Sequence, residues 1–396
     1  MQLHELLQDI YDGPIDTEFS GFEISDICSD SRRVTQDSLF VALKGTQSHG
    51  TKFIDNAVTA GAKIIVSPDE YTSSSLKNVY HLCVSNPEEF LLRAALKFYE
   101  DPSKKLRTIG MTGTNGKTTI AYLIEAILQK AHFGCGVIGT VNYRVGLKKY
   151  PSFNTTPSFI ENQKLLSRMV DEGAEYCVME VSSHALDQRR VDQIEFVSAI
   201  FTNLTIDHLD YHKTQENYFQ AKSLLFTGLS DDAYAIINVD DTYGRKLKSK
   251  TQAQVVTYGI DSKADVMAKD IHLNIDGTRF KLLYQGEEAL IRTSLVGKYN
   301  VYNILAAAAA CLVEGIDLST IKAAIETVKG VPGRLERFDV QQNFSIFLDY
   351  AHTQDALENV LTSIRNISDA RILLVFGCGG DRDKSKRPAL GQVASR

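Results

Sequence analysis

The chain has 396 residues, too many for one typical domain, so two or three are expected. Hydrophobic residues at 43% and charged residues at 23% suit a globular protein with real cores, while a formal net charge of -6 argues against a general nucleic-acid or membrane-surface binder. The opening MQLHELLQDI carries acids early and no long apolar core, so it does not read as a signal peptide, and the most apolar run, ILAAAAACLV at 304–313, is too short to span a bilayer.

From the N-terminus, SLFVAL (38–43) and AKIIVS (62–67) read as strands and PEEFLLRAALKFYE (87–100) as a helix. DPSKK (101–105) combines proline, polar residues and charge, as a linker does. A new unit then starts. LRTIGMTG is a strand running into glycines, and apolar residues at 120, 123, 124, 127 and 128 mark one face of the next helix. YCVMEV (176–181), FVSAIFT (196–202) and AYAIINVD (233–240) are short, continuously apolar runs, the pattern of a buried parallel sheet. VYNILAAAAACLVEG (301–315) reads as a helix closing at Gly315. After GVPGRLERF (330–338), SIFLDYAH (345–352) and RILLVFGCGG (371–380) read as two strands of a third α/β unit. The expected division is 1–100, 101–331 and 332–396. The last piece is short for a doubly wound domain, and the sequence reads as cut short there. The six cysteines are scattered with no C-x-x-C pair, as free thiols in a reducing cytoplasm would be.

GMTGTNGKTT (110–119) departs from the strict phosphate-loop pattern, because Met111 stands where glycine is required. The physical need is nonetheless met. Gly113 and Gly116 let the backbone approach an anion at a helix N-terminus, Lys117 can reach the β- and γ-phosphates, and the Thr118 hydroxyl can ligate Mg²⁺. Glu180 ends a strand, where a carboxylate can hold magnesium or simply face solvent. His208 and His212 in TNLTIDHLDYH lie four apart, able on a helix to chelate a metal or else to cap and pack; the spacing is not H-E-x-x-H. Lys222 sits among apolar neighbours in ENYFQAKSLLF, either snorkelling or desolvated enough to act as a nucleophile.

GTNGKTT, MEVSSHALDQRR, TNLTIDHLDYH, ENYFQAKSLLF, GKYNVYNILAAAA, GRLERF and LDYAHTQDAL occur in this order. The series, with DSRRV and NTTP, closely resembles the Mur ligases, the ATP-dependent peptide ligases of peptidoglycan synthesis. Within them it looks like the third-residue group, which extends UDP-N-acetylmuramoyl-L-alanyl-D-glutamate by a diamino acid. The resemblance implies an α/β fold of three domains: one for the UDP end of the substrate, a central one for ATP and an incomplete Rossmann-like one for the incoming amino acid. It implies that Gly113, Thr114, Asn115, Gly116, Lys117, Thr118 and Thr119 cradle the phosphates, and that Asn300, Asn303, Arg334, Asp349 and His352 frame the nucleotide. Ser31 with Thr46, Gln47 and Ser48 would contact the uridine part, although TQS departs from commoner versions of that stretch. Thr155, Thr156, Ser182, Gln188 and Arg190 would hold the sugar-peptide part. Lys222 would carry a CO₂-derived carbamate and, with Thr118, Glu180 and His208, hold two Mg²⁺ ions. Arg387 would meet a carboxylate of the diamino acid, which favours meso-diaminopimelate over L-lysine. A cytoplasmic monomer without nucleic-acid or membrane partners is the expectation. Two rival readings remain: another amide ligase of the same fold, such as a folate polyglutamate synthase, and a protein that binds ATP and the UDP-muramoyl dipeptide without ligating.

Overall fold

The structure is a computed structural model, and it describes residues 1–45, 49–68, 79–338, 342–378 and 386–395. The chain divides into two compact units, residues 1–105 with 157–171, and residues 106–156 with 172–396. The segment 157–171 therefore belongs with the first unit, although the sequence places it inside the second domain, and 332–396 clusters with the middle of the chain.

The first unit is built on a parallel sheet ordered Asp26–Cys28, Ser38–Val41, Ile64–Ser67, Tyr80–Cys83. Alternate side chains serve two cores. Ile27, Leu39, Val41 and Ile64 meet Leu3, Phe90, Ala94 and Ile160, while Cys28, Phe40 and Ile65 meet Ile54 and Ala57. Asn86 starts the helix Pro87–Phe98 by accepting from the Glu89 N–H at 3.0 Å, with proline in its first turn. The helix Phe159–Asp171 is fastened by Lys164, which donates to Asp26 Oδ2 at 2.7 Å; the Tyr99 hydroxyl donates to Oδ1 of the same carboxylate, also at 2.7 Å. DPSKK forms a short 3-10 turn with Pro102 and Ser103 buried, so this linker packs.

The second unit holds an eleven-stranded sheet. Its parallel centre runs Val266–Asn274, Gln254–Gly259, Tyr234–Asn238, Phe196–Phe201, Arg107–Thr112, Tyr176–Glu180, Cys135–Ile138. Antiparallel strands extend both edges: Gly277–Tyr284 and Glu287–Thr293 on one side, the hairpin Asn142–Val145/Lys148–Pro151 on the other. The helices Lys117–Lys130 and Lys298–Val313 pack on the sheet, and Ile120, Leu123, Ile124, Ile127 and Leu128 are all buried, as their spacing predicts. Chain order reverses about Arg107–Thr112, whose successors lie first to one side and then to the other. A crevice at the carboxyl ends of such strands is where α/β sheets bind ligands.

The C-terminal part differs from its sequence reading. Ile346–Leu348 pairs antiparallel with Glu336–Phe338, and residues 371–378 form no strand. Leu373 is 76% and Val375 97% exposed. A parallel strand needs ladder partners and covered faces. The described residues here offer one ladder of three residues per strand, and a small core of Leu357, Leu390 and Val393 between the helices Gln354–Arg365 and Lys386–Ala394.

Candidate active site

The strand Arg107–Thr112 keeps Met111 fully buried, so the chain leaves the sheet only at Gly113 and turns within four residues into the helix at Lys117. This is why Met111 can stand where the strict pattern demands glycine: it is strand, not loop. Gly113 has φ +144°, and a Cβ there would lie 1.8 Å from Thr202 Oγ1. Gly116 has φ +96°, and its Cβ would lie 2.4 Å from Asn303 Oδ1. No other residue fits either place.

The loop is held from the neighbouring strand end. The Thr114 N–H donates to the Asn203 carbonyl at 2.9 Å, the Asn115 N–H to Asn203 Oδ1 at 3.0 Å, and the Thr202 hydroxyl to the Asn115 carbonyl at 2.7 Å. Lys117 donates to the carbonyls of Gly113 at 2.7 Å and Thr114 at 3.0 Å. Lys222, 1% exposed on the helix Gln215–Thr227, donates to that same Gly113 carbonyl at 3.0 Å, with its Nζ 4.5 Å from the centre of the Tyr218 ring. Burial, and then the charge of Lys117, push the Lys222 amine well below the ordinary ammonium range; burial likewise lowers Lys117. The sequence leaves Lys222 between a snorkelling and a desolvated lysine; its burial excludes snorkelling.

Glu180, 1% exposed, is a hub. Its carboxylate accepts from the Thr118 hydroxyl at 3.1 Å, the Thr140 N–H at 2.9 Å and the Thr140 hydroxyl at 2.9 Å. Its backbone carbonyl accepts from the Thr156 hydroxyl at 2.8 Å. Thr155 lies 3.1 Å from Thr140, oxygen to oxygen, and Thr156 Oγ1 accepts from the Ser182 N–H at 3.0 Å. Arg190 donates to the Thr156 carbonyl at 3.0 Å and grips Gln188 Oε1 with two N–H groups at 3.0 and 2.5 Å. Thr118, Glu180, Thr155, Thr156, Ser182, Gln188 and Arg190 are thus joined in one network.

His208 precedes the short helix Leu209–His212 with left-handed backbone, φ 53°. Asp207 accepts its N–H at 2.9 Å and lies 3.5 Å from Nε2. Burial pushes the imidazole down to about 4, against the raising effect of Asp207, so the ring is neutral at pH 7 and can ligate. The four-residue spacing of His208 and His212 does not make a chelate. His212 is turned to the Ser183 hydroxyl, 2.9 Å from its Nε2. Among the described residues no group of three His, Cys, Asp or Glu side chains is arranged to hold a metal ion. The potential ligands here are instead a hydroxyl, a carboxylate, an imidazole and a modifiable amine.

On the helix Lys298–Val313, Asn300 and Asn303 are buried and linked, with Asn303 donating to Asn300 Oδ1 at 3.0 Å. Arg334 donates to the Thr118 hydroxyl at 3.0 Å, bringing the C-terminal part onto the loop. Asp349 is fixed by the N–H groups of Leu335 at 2.6 Å and Ala351 at 2.8 Å, and burial raises its pKa. His352 is exposed, with Nδ1 2.9 Å from the Tyr350 carbonyl. Ser31 lies in a 3-10 turn of the first unit, while Thr46, Gln47 and Ser48 lie outside the described residues. Arg387 stands exposed in the first turn of the helix Lys386–Ala394.

Sequence reasoning missed Thr140, Asn203, Asp207 and Asp355. Asp355 accepts from the Asn115 amide at 3.3 Å and the Thr205 hydroxyl at 3.0 Å. Asp207 was open to notice, as a carboxylate beside the flagged histidine. Thr140 and Asp355 carry no local signal, because only the fold brings them to Glu180 and Asn115.

Residues 111–311 match the description Mur ligase middle domain. The chain belongs to the Mur ligase family. Residues 23–99 match the Mur ligase family catalytic domain, and 333–396 the Mur ligase glutamate ligase domain. Among relatives, the UDP-N-acetylmuramoyl-L-alanyl-D-glutamate--2,6-diaminopimelate ligase of Geobacillus kaustophilus (strain HTA426) is 47% identical over 93% of this chain and 76% of its own. The protein of the same name from Clostridium botulinum (strain ATCC 19397 / Type A) is 44% identical over 94% of this chain and 77% of its own. A solved structure of a ligase with that name aligns with TM-score 0.75 and 31% identity over 98% of this chain and 80% of that one. A MurF ligase from Thermotoga maritima in complex with ADP shares the fold at TM-score 0.65 and 20% identity, covering 86% of this chain and 74% of that one. Among the described residues no helix is long and apolar enough to cross a membrane.

Proposed function

We propose that the chain is an ATP-dependent ligase that joins 2,6-diaminopimelate to the D-glutamate end of UDP-N-acetylmuramoyl-L-alanyl-D-glutamate. The acceptor and the diamino acid are those in the names of relatives at 42–47% identity. The observation that carries the chemistry is the meeting of two lysines on one carbonyl. Lys117 and Lys222 both donate to Gly113 O, at 2.7 and 3.0 Å. Burial and the neighbouring Lys117 charge disfavour a second ammonium on that oxygen and bias Lys222 toward the neutral amine.

The residues fit the reaction. A carboxylate acylates poorly. Transfer of the γ-phosphoryl group of ATP to the acceptor carboxylate yields ADP and an acyl phosphate. The amine of the diamino acid then attacks that carbonyl, the amide bond forms, and inorganic phosphate and a proton leave. Phosphoryl transfer asks the protein mainly for position and charge. Lys117 and the first-turn N–H groups of its helix receive the phosphates. Asn300, Asn303, Arg334, Asp349 and His352 frame the nucleotide. Thr155, Thr156, Ser182, Gln188 and Arg190 hold the sugar-peptide part, and their bonds to the Glu180 segment set acceptor and phosphate in one frame. Ser31 and the stretch 46–48 take the uridine end, and Arg387 takes a carboxylate of the diamino acid. We assign the UDP end of the substrate to residues 1–100, ATP to 101–331 and the incoming amino acid to 332–396, with Arg334, Asp349 and His352 reaching the nucleotide from the last, in a cytoplasmic monomer.

Thr118, Glu180, His208 and a carbamate on Lys222 would hold two Mg²⁺ ions, which neutralise phosphate charge when bound. The fit rests on Lys222: its amine, which burial biases toward the neutral form, attacks CO₂, forms a carbamate and releases a proton, so that an anionic oxygen ligand replaces the amine. The test is ADP release and product formation with the UDP-muramoyl dipeptide, supplying diaminopimelate or lysine, in native protein and Lys222→Ala. Native turnover with diaminopimelate, loss of ligation in the variant with ADP still bound, and a ¹³CO₂-derived carbamate resonance in native protein alone are expected. Full turnover by Lys222→Ala removes the carbamate role. Native protein that ligates neither amino acid removes the ligase reading.

A further inference from the structure

We propose that His184, which no step above uses, is a positioning residue that locks the His208 imidazole to the side chains holding the acceptor. The inference rests on the ligase reading and adds a part to the same site.

His184 lies in the short helix Ser183–Asp187, whose start is fixed by Ser182 accepting the Ala185 N–H at 3.2 Å. Its ring is enclosed on three sides by rings from the segment 208–212. It meets His208 edge to face, centroids 4.9 Å apart and planes at 90°. It lies 4.2 Å from Tyr211 and 5.5 Å from His212. Each neighbour has its own anchor. The Tyr211 hydroxyl donates to Asp187 at 2.6 Å and accepts from the Gln188 amide at 3.2 Å. His212 is bound to Ser183 and leans on Tyr218, whose ring also faces Lys222. His184 is therefore the shared wall between Gln188, which Arg190 grips, and His208.

The backbone of His208 makes this wall necessary. A non-glycine residue in left-handed conformation is strained and persists only when its surroundings over-determine it. Asp207 accepts the N–H of His208 and lies 3.5 Å from its Nε2, and the Tyr218 ring meets the imidazole at 6.0 Å between centroids; His184, at 4.9 Å, is the nearest ring. The perpendicular packing of His184 against the His208 ring limits its rotation. A ligating imidazole gains affinity from partners that hold its orientation, and loss of one costs about tenfold or more in metal affinity. Contact by shape, without a hydrogen bond between the rings, predicts that another aromatic ring of similar size serves.

The experiment compares native protein, His184→Ala and His184→Phe. It measures the Mg²⁺ concentration for half-maximal ADP release, kcat and KM for the UDP-muramoyl dipeptide, and metal-free binding of that dipeptide by calorimetry. His184→Ala is expected to raise the Mg²⁺ midpoint about tenfold and to weaken metal-free acceptor binding by roughly threefold to tenfold, with KM for ATP unchanged. His184→Phe is expected to restore both within about twofold of native. A general folding defect would lower the active fraction without moving the Mg²⁺ midpoint, and would overturn the proposal. An indifferent His184→Ala, or a His184→Phe as impaired as the alanine variant, would overturn it too. If native protein itself releases no ADP with acceptor and diaminopimelate, the ligase reading fails; if native turns over and His184→Ala matches it, only this inference fails.

Discussion

Replacing Arg144 with methionine should destabilise the second unit by about 3–4 kcal/mol. Arg144 stands on the hairpin strand Asn142–Val145, and its side chain is 8% exposed. It donates to both carboxylate oxygens of Glu125, on the phosphate-loop helix, at 2.7 and 2.6 Å, and to Asn142 Oδ1 at 2.7 Å. Its guanidinium also lies 4.2 Å over the Tyr122 ring. Glu125 is 13% exposed in its side chain, so removing the arginine strands a carboxylate with little access to water. Breaking a buried pair from one side costs about 3–5 kcal/mol, and the lost cation–π contact adds roughly 0.5–2 kcal/mol. Methionine returns part of this by filling the space with apolar atoms. The same logic gives Glu125→Leu a similar cost, while the double variant, with no stranded charge, should fall within about 1 kcal/mol of native. Urea unfolding of the four proteins yields the coupling energy, expected at about 3 kcal/mol or more. Hydrogen exchange should show the loss centred on 142–151, and KM for the UDP-muramoyl dipeptide should rise, because Tyr143 on the same strand donates to the Asn154 carbonyl at 2.6 Å. A single variant costing under about 1 kcal/mol, or a double variant as unstable as the sum of the singles, would refute the reasoning.

Three further outcomes are expected. Lys222→Met should raise stability by roughly 1–3 kcal/mol in CO₂-free buffer while abolishing ligation, since a buried amine with unfavourable ionisation is removed and Gly113 O keeps its bond from Lys117 at 2.7 Å; a lower melting temperature contradicts this. Gly113→Ala should lose at least about tenfold in ADP affinity by calorimetry, because its Cβ would fall 1.8 Å from Thr202 Oγ1 and push the loop out of shape; native affinity would mean that the loop adapts. Asp240 accepts from the N–H groups of Ile260, Asp261 and Ser262 and from the Tyr302 hydroxyl, at 2.6–2.9 Å. Burial alone would raise its pKa, and these bonds outweigh that and hold it at about 2. The depressed value means that Asp240 contributes stability above about pH 4, and that the contribution fades as pH falls toward about 2. The gross figure of about 2.4 kcal/mol shrinks to about 1 kcal/mol after solvent screening, and Asp240→Asn should lose that amount at pH 7 and show a flatter acid limb. Parallel acid limbs for native and variant would count against it.

Much of the central architecture was legible because burial there is nearly one-dimensional. Tyr176–Glu180, Phe196–Phe201 and Tyr234–Asn238 are parallel strands that read as short apolar runs, and Arg107–Thr112 reads as a strand running into glycines. The helix Lys117–Lys130 carries a clean apolar stripe after paired glycines. The edges were less readable. Gly277–Tyr284 and Glu287–Thr293 alternate buried and exposed residues only in part, and strand 148–151, KKYP, carries almost no apolar signal. RILLVFGCGG misled for the opposite reason: apolar content promises a strand only where a ladder receives it. At the site, residues inside loop motifs could be picked from spacing, as with Lys117 and Thr118. Thr140 could not, because its tie to Glu180 crosses forty positions of sequence. The choice between the two readings of Lys222 needed its burial and its shared carbonyl, which are tertiary facts.

The helix Phe159–Asp171, borrowed by the first unit from far along the chain, sets the order in which the protein can be finished. Residues 1–105 leave the ribosome with the Asp26 carboxylate lacking its lysine, and with a core that still awaits Ile160. Domains generally fold as they emerge. Here the first cannot close until residue 171 is out, by which time the phosphate-loop strand and helix have already been made, so neither unit is a segment that scissors could lift whole from the gene.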